Sequence, residues 1–162
     1  MRYSRKAIQL IKELEGFRPN RYKDGSGYSI GYGTFIDTNE ERAIQEPISP
    51  EMGERLLIKH LDMLIDQLDK WLEVSVNQNQ IDALLTFAYN VGSSPLKTVV
   101  QRLNEGQTDE EITAYMRKFV HSGNKKLPHL IMRREKEIDL FLSPVFPWLL
   151  LLLIPLVYAI IK

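Results

Sequence analysis

Residues 15–34 read EGFRPNRYKDGSGYSIGYGT, and the fold turns on this stretch. It begins where a helix ends. Upstream, Ala7, Ile8, Leu10, Ile11 and Leu14 recur at helical spacing behind Ser4, a residue suited to cap a first turn. Gly16 is placed to stop that helix. From Tyr22 to Ile36 the pattern changes, and aromatic and β-branched residues alternate with glycines at 25, 27, 31 and 33. That predicts a short β-hairpin or three-stranded ribbon with tight turns.

Two carboxylates in this stretch stand in unlike surroundings. Ile8, Ile11 and Glu15 fall at i, i+3 and i+7, so Glu15 continues an apolar helix face. A carboxylate there is partly desolvated, which keeps a proton available. Asp24, nine residues on, sits in a glycine-rich turn that stays wet and ionised. One protonated acid and one ionised carboxylate is the arrangement that glycoside hydrolysis requires.

Downstream the chain reads as helix after helix. Ser49-Pro50-Glu51 opens a long one whose stripe is Leu56, Leu57, Leu61, Leu64, Ile65, Leu68 and Trp71. His60 lies at the edge of that stripe as a boundary residue. A further helix covers about 78–90 and ends at Gly92, and another spans 96–103 and stops at Asn104-Glu105-Gly106. Thr108 with Glu111 forms a capping box for a helix through Phe119, and Pro128 starts one carrying Leu130, Ile131, Ile138, Phe141 and Leu142. The fold class expected is α+β, mainly helical, with a small sheet inserted after the first helix.

Composition narrows the function. A chain of 162 residues that is 44% hydrophobic and 26% charged is not a long disordered segment. Twenty-one basic against 21 acidic residues argue against a general nucleic-acid binder. With no cysteine there is no disulfide framework, thiolate metal site or cysteine nucleophile, and three scattered histidines have no metal-ligand spacing. No cofactor and no metal are expected.

The averages hide uneven distributions. Residues 1–23 carry seven basic and two acidic side chains, 37–116 six and fifteen, and 117–136 seven and one, so two basic blocks could meet in the fold. From Leu140 to Ile161 there are 22 consecutive residues without a charge. As a helix they would reach roughly 33 Å, close to the thickness of a bilayer. Trp148 and Tyr158 near its ends fit interfacial positions. The expectation is a catalytic domain over 1–142 and a C-terminal transmembrane anchor over 143–162, with residues 145–161 in the lipid.

Three blocks carry a resemblance. Glu15-Gly16-Phe17-Arg18, Tyr22-Lys23-Asp24 and Ser29-Ile30-Gly31-Tyr32-Gly33-Thr34 look like the active-site stretch of phage lysozymes, the endolysin-type muramidases of glycoside hydrolase family 24. The match continues in Asn79-Gln80-Ile81-Asp82-Ala83-Leu84 with Phe87-Ala88-Tyr89-Asn90-Val91-Gly92. It ends in Leu130-Ile131-Met132-Arg133-Arg134-Glu135 with Leu140-Phe141-Leu142. The order and approximate separations agree over about residues 4–142.

The resemblance implies a lysozyme-like fold that cleaves peptidoglycan between N-acetylmuramic acid and N-acetylglucosamine, with inversion. It casts Glu15 as general acid, Asp24 as the group that orients or deprotonates water, and Ser29 in place of an assisting threonine. Tyr89 and Asn90 match cleft-lining positions, and Arg133 or Arg134 matches a partner of Glu15 or of a neighbour. Three departures stand out: a shorter turn between Asp24 and Ser29, with Ser26 as a second hydroxyl; Thr34 where a histidine often follows Gly-x-Gly; and Phe119 where tryptophan is common. The alternatives are a lytic transglycosylase on the same fold and an inactive wall-binding or structural protein of a virion membrane. The partners expected are bacterial peptidoglycan, a lipid membrane and virion-membrane components, without nucleic acid. The location expected is the membrane of a lipid-containing phage or the host inner membrane.

Overall fold

The computed structural model describes residues 1–25 and 27–145. Helix α1 (Arg5–Glu15) starts behind Ser4, whose side chain accepts from the Lys6 N–H, and ends where Gly16 donates to the Lys12 carbonyl. The ribbon follows as three antiparallel strands in sequence order, β1 (Arg18–Asp24), β2 (Gly27–Gly31) and β3 (Thr34–Phe35). Tyr22 stands opposite Ser29, and Ser29 opposite Phe35, so these three share one face of the sheet. Ile30 points the other way and joins Ile36, Ile48 and Leu56 in a small core.

A short α2 (Asn39–Arg42) leads to the long α3 (Pro50–Trp71), then α4 (Gln78–Val91), α5 (Ser93–Asn104) and α6 (Asp109–Met116). A two-stranded hairpin, β4 (His121–Ser122) with β5 (Lys125–Lys126), precedes α7 (Pro128–Leu142). Helix α4 is the centre. Every residue from Ile81 to Ala88 is buried, as a helix enclosed by others must be, and α1, α3, α5 and α7 pack around it. Two polar side chains in this core are satisfied across the chain. Asp82 accepts from the Ser4 N–H at 2.8 Å and from the Ser4 hydroxyl. Asn79 accepts from Lys6 Nζ at 3.2 Å and donates to the Ser143 carbonyl at 3.0 Å. That ties the start of α1 and the end of α7 to the central helix.

Some boundaries differ from the sequence expectation. Helix α5 begins at Ser93 rather than at 96, because Pro95 falls in the first turn, where a missing N–H costs nothing. Helix α6 stops at Met116 and not at Phe119. Lys118 and Phe119 close tighter turns onto Tyr115 and Met116, and the Phe119 ring packs edge-on against Phe87 at 5.3 Å and Tyr115 at 5.2 Å. The two basic blocks do meet, through the two acids of the first: Arg133 pairs with Glu15 and Lys136 with Glu13.

The membrane location is overturned. Among the described residues no helix is long and apolar enough to cross a membrane. Helix α7 carries Arg133, Arg134, Glu135, Lys136, Glu137 and Asp139, packs on α4 and ends at Leu142, so it does not run on into an apolar span. The transmembrane helix expected at 145–161 lies, apart from Val145, outside the described residues. A place in a viral or host inner membrane therefore does not stand, and lipid and virion-membrane partners find no support among the described residues.

Candidate active site

Glu15 is the last residue of α1, and its side chain is 19% exposed. Two elements from elsewhere fix the carboxylate. Arg133 on α7 donates Nη1–H to Oε1 at 2.5 Å. On the other side Oε2 rests against Gly33 in the turn between β2 and β3, where an added Cβ would stand 2.7 Å from it. Gly33 also has φ +79°, so its residue type is required both by the backbone and by the acid beside it. Gly31 has a different neighbour: a Cβ there would lie 3.0 Å from the Gly53 backbone, so this glycine lets the ribbon lie directly on α3. The two glycines of one Gly-x-Gly thus serve separate contacts.

Asp24 closes β1 opposite Gly27 and is exposed, while Ser29 is buried. The short turn brings them together: Ser29 Oγ donates to Asp24 Oδ2 at 2.7 Å. Ser26 lies outside the described residues. Ser29 therefore holds one carboxylate oxygen of Asp24 and leaves the other towards solvent, at the ribbon end of the site.

With this geometry the comparisons with known proteins are decisive. The profile described as phage lysozyme matches residues 12–137. The chain belongs to the phage lysozyme family. It is 40% identical over 149 residues to the endolysin of Bacillus phage B103, covering 88% of this chain and 55% of that protein. The chain thus spans about half the length of that relative. The endolysin of Salmonella phage P22 is 30% identical, with 88% of this chain and 99% of that one covered. Among solved structures, the muramidase domain of SpmX from Asticaccaulis excentricus superposes with a TM-score of 0.77 at 30% identity, over 88% of this chain and 99% of that one. The mainly helical α+β lysozyme-like fold with a small antiparallel sheet agrees with these neighbours.

The cleft positions carried over from the phage lysozyme family behave unequally. Tyr89 is half-buried near the end of α4, and its hydroxyl is engaged within the fold. It donates to the Tyr32 carbonyl at 2.8 Å and lies 3.1 Å from Thr34 Oγ1. Burial, with the Glu15 charge adding to it, raises the phenol above its ordinary range. Tyr89 thus fastens the β2–β3 turn to α4, and Thr34, standing where a histidine is common, is its partner. The His60 ring packs against Tyr89 at 5.1 Å between centroids. Asn90 is exposed. Its amide oxygen accepts from Arg134 Nη2 at 2.7 Å, which fixes the orientation of the exposed amide.

The two arginines left open between Glu15 and a neighbour divide the work. Arg133 reaches Glu15, and Arg134 reaches Asn90, while both are bound by Glu137. Glu137 is fully buried; burial pushes its carboxyl upward, against the pull of the two guanidiniums. Burial likewise lowers Arg134 to about 10, and its guanidinium lies 4.9 Å from the centre of the Phe87 ring.

Sequence reasoning missed Tyr22 as a site residue. It is half-buried; burial raises its phenol, and the charges of Glu15 and then Asp24 add to the rise. One side chain thus senses both carboxylates. The signal was present in the spacing, since Tyr22 and Asp24 are two apart on one strand and share a face. Among the described residues no cluster of three histidine, aspartate or glutamate side chains is placed to hold a metal ion. An open groove of about 520 Å³ lined by Lys70, Trp71, Lys97 and Gln101 lies at the far end of α3 and includes none of these groups.

Proposed function

We propose that this chain hydrolyses the β-1,4 bond between N-acetylmuramic acid and N-acetylglucosamine in bacterial peptidoglycan, as a phage-encoded enzyme of cell-wall penetration or host lysis. Glu15 protonates the leaving glycosidic oxygen. Asp24, held by Ser29, orients and deprotonates water on the opposite face of the sugar, so that the anomeric centre inverts. Asn90 offers its amide to a sugar. The observation that carries the reading is the Ser29–Asp24 hydrogen bond in a chain whose Glu15 is fixed between Arg133 and Gly33. It supplies a water-directing carboxylate as well as an acid, and so favours hydrolysis over internal attack by the sugar's own 6-hydroxyl.

The test is digestion of purified peptidoglycan by the full chain, with mass analysis of the fragments. Hydrolysis leaves reducing ends. An anhydro sugar, lighter by one water, would instead establish a transglycosylase, and an inert protein would favour a wall-binding role. Glu15→Gln is expected to lower the rate by about 10² or more, and activity that survives it would remove Glu15 as the acid.

A further inference from the structure

Arg133 and Arg134 are consecutive cations with side chains 6% and 0% exposed, an arrangement that needs a buried counter-charge. Glu137, one helical turn on, supplies it. Its Oε1 accepts from Arg133 Nε at 3.0 Å and from Arg134 Nη2 at 3.2 Å, and its Oε2 lies 3.0 Å from Arg134 Nη1. Each arginine then extends one arm outward, Arg133 to the end of α1 at Glu15 and Arg134 to the end of α4 at Asn90. Arg133 makes a single bond to Glu15, and its remaining amino group, Nη2, is buried with no hydrogen-bond partner.

We propose that Glu137 is a positioning residue for the acid: it holds Arg133 by Nε, so that the guanidinium touches Glu15 with one N–H and cannot turn to grip it with two. The proposal rests on the reading of Glu15 as general acid. A bidentate guanidinium is the strongest partner that a carboxylate can have, and it favours the ionised form. An acid gripped in that way would not be free to hand over a proton. Glu137 prevents this in two ways. It fixes the fork of Arg133 in a one-armed orientation, and its own charge offsets that of the arginine. The charged groups acting on Glu137 are Arg134 and Arg133 from its own helix and Glu15 from α1. Helix α4 presents the neutral Asn90 and Phe87, and α6, also packed on α7, buries the uncharged Ile112, Thr113 and Met116.

The experiment compares the full chain with Glu137→Gln for peptidoglycan hydrolysis across pH, with folding followed by circular dichroism. The alkaline limb of the kcat/KM profile is expected to move to lower pH by about one unit, the order expected when a neighbouring unit charge is removed at intermediate screening. A folded Glu137→Gln protein whose rate falls by the same factor at every pH would show a merely structural role and overturn the proposal, as would an unchanged profile. Should Glu137→Gln fail to fold, Glu137→Asp keeps the charge and withdraws it by one methylene. About a tenfold fall in kcat with KM unchanged is then expected, and a wild-type kcat would overturn the proposal. A wild-type chain that leaves peptidoglycan intact would instead defeat the hydrolase reading itself.

Discussion

Gly33→Ala tests whether the ribbon sets the position of the acid. The substitution adds one methyl group, and its cost separates into two parts. The first is backbone strain: φ +79° is a left-handed conformation in which alanine is about 1–2 kcal/mol worse than glycine. The second is crowding. The new Cβ would stand 2.7 Å from Glu15 Oε2, against about 3.4 Å for ordinary contact, so the carboxylate must retreat by roughly 0.7 Å. The end of a glutamate usually moves cheaply, but here Arg133 holds its other oxygen at 2.5 Å from the opposite side, so the carboxylate can retreat only by shifting against that partner. A misplacement of about 1 Å in a reacting group can cost about 10²-fold, so kcat/KM for peptidoglycan is expected to fall by tens of fold. Gly106→Ala is the control. Gly106 has φ +75°, with nothing within 4 Å of an added Cβ, so it carries the strain without the crowding. Both variants should lose about 2–8 °C in Tm, at about 2–4 °C per kcal/mol for a domain of this size. Turbidity clearing of purified walls, normalised to folded protein, reads the difference. Equal activity losses in the two variants, or wild-type activity in Gly33→Ala, would refute the reasoning.

Other substitutions address the rest of the site. Ser29→Ala removes the 2.7 Å bond to Asp24 and should cut wall clearing by about tenfold while changing stability by only ~1 kcal/mol; Ser29→Thr, which keeps the hydroxyl, should retain most of the activity. Tyr89→Phe leaves the Tyr32 carbonyl without its donor and should cost ~1–3 kcal/mol in urea unfolding, and an unchanged midpoint would show that the ribbon does not depend on that tie. Burial, opposed by the Glu41 charge, lowers His60 below its ordinary 6.5, so the folded state binds its proton less readily than the unfolded chain. The stability this contributes is present above pH 6.5 and is lost as pH falls through the lowered folded value. His60→Gln should therefore flatten the decline of Tm below pH 6.5, and parallel Tm curves for the two proteins would exclude it.

The elements legible in the sequence are those whose start, stripe and stop are all local. Ser4 to Gly16, Ser49 to Trp71 and Asn77 to Gly92 each carry a capping residue and an apolar repeat, and each folds accordingly. The ribbon was legible because its glycines punctuate it. The hairpin of β4 and β5 was not, since residues 121–126 are all exposed and show no alternation for a period to reveal. Helix α2 had its signal in the Thr38–Glu41 capping box, but one turn of helix is too short to leave a stripe.

The site divides along the same line. Glu15, Asp24 and Ser29 lie within fifteen residues, and the Ser29–Asp24 contact follows from a hairpin register that is local. What holds the acid comes from 118 residues away, and no spacing rule reaches that far. There is still a physical reason for a distant cation. Glu15 ends α1, where unpaired carbonyls concentrate negative potential and a carboxylate is badly placed. The local chain offers no relief, because the one basic residue in that last turn, Lys12, is taken by Glu54 at 2.7 Å. A misplaced carboxylate with its local cation engaged calls for a guanidinium from another element, and that reasoning would have selected an arginine of α7 as its partner. It would not have selected Arg133 over Arg134. That choice depends on which of two adjacent side chains faces α1, and Glu137, which binds both, does not distinguish them.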